Sequence, residues 1–379
     1  MFSLATKLSI VKALITKNSP FYIQFFINSR CNLKCKMCGI VSSNKAYKEV
    51  SLDDVRKIVK NLVKIRAGVV LLTGGEPFLR GDLPEIVRIF TENGLNVRLQ
   101  TAGLTTRKEA LKACVEAGAK DICVSLDSLD EGKQDFINGV EGSWKKAIQT
   151  IANISELFPR KGKVCALGCV LSSYNFEEIP LIVKFATKIG WYVSLVPVHI
   201  NQQEHSYAFR SNDKSFAFKP DQIKLIDELF EKLFVMKRKG FNLFDSETYL
   251  KSSLYFIKHG VPLWRKKGIC DSPNLYFVIL PNGDFSVCCD KRLVNRVSLL
   301  DDHFPEIFFD KRFRDEIYEI TSKCAGCQYG SYPEMSLMVR DLRTVVERVV
   351  MARKVEKNPT RSYSCEELLT IIEEIKKNG

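Results

Sequence analysis

Cys31-Asn32-Leu33-Lys34-Cys35-Lys36-Met37-Cys38 follows directly on a β-branched and aromatic run at 21–28. A second such run, at 68–73, ends in Thr73-Gly74-Gly75-Glu76-Pro77. The first stretch spaces its cysteines C-x3-C-x2-C. Three thiolates in so short a loop can hold three irons of a 4Fe–4S cube and leave the fourth iron without a protein ligand. A molecule carrying an amine and a carboxylate can chelate that open iron. Zinc is the alternative, but a closed zinc site takes four ligands, and no local His or Cys completes this one. In the second stretch the two glycines let a ligand approach the backbone, and Glu76 offers a carboxylate at the strand's carboxyl end. A plain tight turn is the bland reading of Gly-Gly-Glu-Pro. Its position, one strand–helix unit after the cysteine loop and on the same rim of the sheet, favours the functional one.

Outward from these motifs, further strand-like runs occur at 96–101, 121–127, 164–172 and 192–199, with amphipathic helical stretches between them. Ser51 with Asp54 forms a capping-box start for a helix with Val55, Ile58, Val59, Leu62 and Val63 on one face. Gly94, Gly118 and Gly190 stand where helices should stop, and Ser143 is a candidate N-cap. Six strand–helix units in sequence predict an α/β fold, a parallel sheet with helices outside it. Six is two short of a closed eight-unit barrel, so a partial (β/α)6 barrel is expected, with its ligand site at the carboxyl ends of the strands. Beyond residue 200 the pattern changes. A polar stretch at 201–219 leads to a helix from Pro220 to Lys239 that stops at Gly240. A hairpin is predicted from apolar runs at 275–280 and 285–289 around Pro281-Asn282-Gly283-Asp284. The tail, 335–379, reads as two basic amphipathic helices parted near Asn358-Pro359. The expected divisions are an N-terminal amphipathic helix (1–20), the partial barrel (21–200), a helical connection (201–262), a small hairpin-containing module (263–335) and C-terminal helices (336–379).

The two motifs together resemble those of the radical S-adenosylmethionine (SAM) superfamily, over roughly residues 21–199. The resemblance implies reductive cleavage of SAM to a 5′-deoxyadenosyl radical, which abstracts hydrogen from an organic substrate. It implies that SAM binds the open iron of a 4Fe–4S cluster on Cys31, Cys35 and Cys38, with Gly74, Gly75, Glu76 and Pro77 lining the cofactor. Ser125 and Asp127 stand where the family's fourth strand touches the ribose or carboxylate; two-residue alternation puts both on one face. Thr101-Ala102-Gly103 replaces the frequent Thr-Asn-Gly, Asn138-Gly139 stands where many relatives carry an Arg, and Met37 replaces an aromatic. The protein's part in such chemistry is positioning and exclusion, since the cofactor carries the hard step.

A second set, Cys270, Cys288 or Cys289, Cys324 and Cys327, resembles the SPASM/Twitch auxiliary-cluster modules. Residues 328–342 contain no further cysteine, which matches the shorter Twitch form with a single additional 4Fe–4S cluster. The family spacing prefers Cys288 over Cys289, and zinc on four thiolates is the alternative. Cys114, Cys123, Cys165, Cys169, Cys365 and the unused member of the 288/289 pair read for the most part as small core hydrophobes. Of the four histidines only His199 falls at a strand's carboxyl end, and a lone His is more often structural.

The chain has 379 residues, 45% hydrophobic and 27% charged, which excludes a disordered or collagen-like protein. Lys and Arg exceed Asp and Glu by 57 − 44 = 13, which points to anionic company. Arg210, Lys214 and Lys219, interleaved with Tyr207, Phe209, Phe216 and Phe218, form a candidate anionic-substrate pocket, with a solvated loop as the plainer reading. Thirteen cysteines, odd in number and partly in tight spacings, suit a reducing cytoplasmic compartment rather than a disulfide scaffold. The expected partners are a small-molecule or peptide substrate and a reducing protein such as flavodoxin or ferredoxin. No nucleic-acid module is recognisable. The N-terminal helix packs on the domain or rests on a membrane surface. Peptide maturation is the nearest alternative function. A non-catalytic iron–sulfur or zinc scaffold is the alternative of another class.

Overall fold

The computed structural model describes residue 16 and residues 19–158, 161–201, 209–357 and 359–378. The expected N-terminal helix therefore lies almost wholly outside the described residues, as do His205 and Tyr207. The six expected strands form as β1 (Tyr22–Phe26), β2 (Val69–Thr73), β3 (Asn96–Thr101), β4 (Asp121–Ser125), β5 (Cys165–Leu171) and β6 (Tyr192–Pro197). All pair in parallel with their sequence neighbours. Helices cover the outer face, so apolar residues of the central strands are buried on one side against them and on the other in the barrel interior.

The helix ends follow the local chemistry. Ser51 and Asp54 make the capping box of helix Leu52–Lys64, and Gly94, Gly118 and Gly190 adopt positive φ at the stops. Ser143 is a correction. Gly142, at φ 75°, is the N-cap, and Ser143 is a buried first-turn residue whose hydroxyl donates to Asp135 at 2.9 Å.

The hairpin expected in a separate module continues the barrel's own sheet. Strand β7 (Tyr276–Ile279) pairs in parallel with β1, and β8 (Phe285–Ser286) pairs antiparallel with β7, giving the order β6-β5-β4-β3-β2-β1-β7-β8. Only two residues of the expected 285–289 run are strand. The Ser286 hydroxyl donates to the carbonyls of Cys288 (2.9 Å) and Lys291 (3.0 Å), which curls the chain off the ladder at the cysteines. The tail differs from expectation as well, with three helices, Ser331–Met338, Leu342–Lys357 and Cys365–Lys377. The last packs on helices Ser143–Leu157 and Ile179–Lys188 of the barrel. No described helix is long and apolar enough to cross a membrane.

Candidate active site and second cysteine set

The carboxyl ends of the strands open on a cavity of about 420 Å³ bordered by Cys31, Cys35, Cys38, Gly74, Gly75, Ser125 and Asp127. The cysteine loop and the glycine turn are stitched together at their bases. The buried Asn28, two residues past β1, donates to the Glu76 carbonyl at 2.7 Å and accepts from the Gly75 N–H at 3.0 Å. The Glu76 N–H donates to the Arg30 carbonyl at 2.8 Å. This approach leaves no room for a side chain. A Cβ on Gly74, at φ +150°, would meet Asn28 Oδ1 at 2.6 Å, and one on Gly75 would fall 1.9 Å from the Arg30 oxygen. Arg80, buried and paired with Asp82 at 2.6 Å, donates to the carbonyls of Ile27 and Val50, anchoring the same loop from below.

The carboxylate of Glu76 does not face the cavity, which corrects its expected place at the ligand. It accepts from the N–H groups of Phe78 (3.1 Å) and Ala102 (2.8 Å) and from the Thr101 hydroxyl (2.9 Å). It thus ties the turn after β2 to the end of β3, and burial raises its carboxyl above the usual range. Glu76 and Pro77 stand behind the wall that Gly74 and Gly75 form.

From the opposite side the helix Glu131–Asn138 ends against the cysteine loop. The Asn138 carbonyl accepts from the Lys34 N–H at 3.0 Å, and its side-chain oxygen lies 3.5 Å from Cys35 Sγ. Gly139, at φ 64°, lets the Lys34 backbone come close. Asn138 thus positions the cysteine loop. Burial raises the Cys35 thiol, and Cys38, Asp127 and Cys31 raise it further, so the three sulfurs share one electrostatic neighbourhood. Ser125 and Asp127 both line the cavity, as the alternation predicts. Ser125 Oγ accepts from Gln100 at 3.2 Å. One Asp127 oxygen accepts from the Val170 N–H at 2.6 Å, and burial pushes its carboxyl up to about 7.

His199 borders the cavity but is structural. Its Nε2 accepts from the Gln328 N–H at 3.0 Å, and its ring stacks on Tyr329 at 4.0 Å and 13°. Burial, with Arg210 nearby, lowers its pKa from 6.5 to about 3. A folded value below the unfolded one means that the stabilisation is complete above about pH 6.5 and is lost as pH falls toward 3. The limiting slope is ~1.4 kcal/mol per pH unit. His199→Gln keeps an acceptor for Gln328 without a titrating ring. Urea unfolding at pH 7 and pH 5 is expected to show wild type losing more than ~1 kcal/mol relative to this variant. An equal loss in both would contradict a neutral buried His199.

Among the described residues, 209–219, the expected anionic pocket does not assemble. Arg210 is paired with buried Asp290 at 2.8 Å, and Asp290 also accepts from the Tyr329 hydroxyl at 3.0 Å. Lys214 and Lys219 are exposed away from the cavity, Phe216 is buried beside Ile137 and Val198, and among the described residues of this set Phe209 lines the cavity.

The second cysteine set comes together in space. Burial raises Cys270 to about 11 and Cys288 and Cys327 well above their ordinary value. Cys270 and Cys324 act on Cys288, and Cys288 and Cys270 act on Cys327. The C-x2-C turn is held by backbone capture. Trp264 Nε1 donates to the Cys327 carbonyl at 2.9 Å, and Arg265 donates to those of Cys324 (2.8 Å) and Ser322 (2.7 Å). Gln328, wholly buried, bonds to Ser252, Ser253 and Tyr249. The adjacent pair differs: Cys288 shares an electrostatic neighbourhood with Cys270, Cys324 and Cys327 and does not line the cavity, whereas Cys289 lines it beside Gln24 and Tyr332. Among the described residues no three His, Cys, Asp or Glu side chains converge on the point that a single metal ion would occupy. Asn28, Arg80 and Gln328 had no motif to announce them; only their adjacency to the cysteine and glycine stretches was a signal.

The radical SAM superfamily profile matches residues 26–186. A probable GTP 3′,8-cyclase of Methanococcus maripaludis is 30% identical over 222 residues, 57% of this chain and 70% of the cyclase. The chain belongs to the radical SAM superfamily. An AdoMet-dependent heme synthase of Methanosarcina barkeri is 29% identical to this radical SAM chain over 174 residues, 46% of it and 49% of the synthase. The fold matches that of Streptococcus suis SuiB bound to its precursor peptide SuiA, at a TM-score of 0.61 and 17% identity. The match covers 85% of this chain and 73% of SuiB. As a radical SAM protein with catalytic relatives, the chain is an enzyme.

Proposed function

We propose that this enzyme reductively cleaves SAM at a 4Fe–4S cluster held by Cys31, Cys35 and Cys38 and abstracts hydrogen from an organic substrate in the adjoining cavity. The observation that carries this reading is a single cavity bordered by all three thiols, the side-chain-free Gly74-Gly75 turn, Ser125 and Asp127. When bound, cluster and SAM together supply a primary carbon radical. The residues of the chain do the rest. Cavity-lining backbone at Gly74 and Gly75 receives the methionyl amine, with Glu76 and Pro77 supporting the turn, while Ser125 and Asp127 receive ribose or carboxylate. Asn28 and Asn138 hold the two loops in register. The apolar interior excludes water from the radical.

Cys270, Cys288, Cys324 and Cys327 are proposed to hold an auxiliary 4Fe–4S cluster with every iron ligated by protein, suited to moving an electron rather than binding substrate. A small molecule of a few hundred Å³, or one side chain of a peptide, suits the cavity. Peptide stands beside small molecule because SuiB, which shares the fold, holds a precursor peptide. The reductant is a low-potential carrier of the flavodoxin or ferredoxin kind. Exposed Lys34 and Lys36 on the cysteine loop, within a chain of net charge +13, offer such an acidic protein a landing place.

Anaerobic reconstitution with iron and sulfide, then dithionite and SAM, tests the core of this reading. The expected product is 5′-deoxyadenosine. Full iron loading without SAM cleavage would leave a scaffold, not an enzyme of this type.

A further inference from the structure

The parting of Cys288 from Cys289 leaves a redox-active side chain in the cavity, in contact with a buried path to the second cysteine set. Cys289 Sγ lies 3.4 Å from the Tyr332 hydroxyl and 3.5 Å from Gln24 Oε1, and the Tyr332 hydroxyl itself donates to Gln24. The Tyr332 ring stacks on Tyr276, centroids 4.6 Å apart and planes within 18°. The Tyr276 hydroxyl lies 3.0 Å from Cys270 Sγ and 3.4 Å from Ser336 Oγ. Both phenols are almost fully buried, at 1% and 2% exposure. A buried tyrosine hydroxyl needs a partner. Here each of the two reaches a sulfur, one in the cavity and one in the second set.

We propose that Cys289, Tyr332 and Tyr276 form a one-electron relay, with Cys289 as the hydrogen donor that quenches a carbon radical in the cavity. The proposal rests on the reading above, that both cysteine sets hold clusters. The carbon radical takes the hydrogen atom of Cys289, so that a C–H bond forms, the S–H bond breaks and a thiyl radical remains. The thiyl takes the hydroxyl hydrogen of Tyr332. The resulting phenoxyl would be restored by a proton from solvent and by an electron crossing the Tyr332–Tyr276 stack, which a reduced cluster held at Cys270 would supply. In sum, carbon radical, proton and reduced cluster give C–H product and oxidised cluster. The electron is replaced by the low-potential carrier. A peptide bond also joins Cys289 to the ligand Cys288, but that covalent route moves no proton, whereas the phenol delivers electron and proton together.

The test needs no substrate. The reconstituted full chain, reduced and freed of excess reductant, is given SAM alone in D2O. The thiol of Cys289 is then S–D, whereas carbon-bound hydrogens are not exchanged. Wild type is expected to give singly deuterated 5′-deoxyadenosine, and Cys289→Ala and Cys289→Ser to lose the label; serine keeps a polar group but has too strong an O–D bond to donate. Reduced-cluster EPR should show one electron lost from each cluster per 5′-deoxyadenosine in wild type. In Tyr332→Phe the second cluster should stay reduced. Tyr276→Phe should lower the second cluster's midpoint potential, since a hydrogen bond to a ligand sulfur stabilises the reduced state. Unlabelled product from wild type, or equal oxidation of the second cluster in Tyr332→Phe, overturns the relay while the SAM reading stands. No 5′-deoxyadenosine at all removes that reading and the relay with it.

Discussion

With Cys31, Cys35 and Cys38 all replaced by alanine, 5′-deoxyadenosine formation is expected to fall to the level of a control without enzyme, while the iron of the second set is retained. The two halves of the result test different things. The first follows because no other described thiol is in place to substitute: Cys123, Cys169 and Cys289 also border the cavity, but on strands and a turn across it from the cysteine loop. The second follows from how the sets are built. Cys270, Cys288, Cys324 and Cys327 are held by the hairpin turn, Trp264, Arg265 and Gln328, none of which depends on the first loop's sulfurs. Iron and sulfide counts on wild type and variant make the comparison. A variant that still cleaves SAM, or one that loses all its iron, would contradict the assignment of the two sets. Zinc in place of iron in the variant would convert the second set to a structural metal site.

Gly75→Ala is expected to disable the first site without touching a sulfur or a cavity-facing side chain. The added methyl would lie 1.9 Å from the Arg30 oxygen, 2.4 Å from its carbonyl carbon and 2.9 Å from the Cys31 nitrogen. Those are backbone atoms on the threshold of the cysteine loop, and they cannot rotate away as a flexible side chain can. Either the loop lifts, breaking the Glu76 N–H bond to Arg30 and misplacing Cys31, or the turn distorts and releases Asn28. The overpacking cost is about 3 kcal/mol. Chemical denaturation should report the loss of stability, and the first cluster's iron and SAM cleavage should fall together. Gly81→Ala is the control. It meets nothing within 4 Å and is expected to stay within ~0.5 kcal/mol of wild type with both clusters loaded. If Gly75→Ala loads iron and cleaves SAM normally, the close approach of loop and turn is not what shapes the site.

Much of the architecture was legible along the chain because it is local. Alternating apolar runs and capped amphipathic stretches define six strand–helix units, and β3 begins and ends at its expected residues. The helix Pro220–Arg238 runs as predicted to its glycine stop, Gly240 at φ 86°. The misses came where tertiary partners outweigh local preference. The 285–289 run has strand chemistry, but Ser286 bonds forward to Cys288 and Lys291 and ends β8 after two residues. Ser143 has N-cap chemistry, yet Asp135 captures its hydroxyl, and the left-handed Gly142 takes the cap. Glu76 has the look of a ligand-facing carboxylate, but three protein donors meet it behind the cavity wall. Arg210 looks available to an anion until Asp290, eighty residues on, closes over it.

Spacing and periodicity reached the α/β class, the parallel order of six strands and the rim at the strands' carboxyl ends, and the family resemblance added the second set of cysteines, with Cys288 or Cys289 as one member. Those properties depend on residues within a few turns of each other, or on thiols whose separation along the chain sets what they can bind. Only the folded chain could tell which of two adjacent cysteines faces the cavity, that the hairpin extends the barrel sheet beside β1, and that His199 and Glu76 spend their polar atoms on the protein itself. Each of these turns on contacts between segments tens to hundreds of residues apart, where burial requires every polar group to find whichever partner the packing brings.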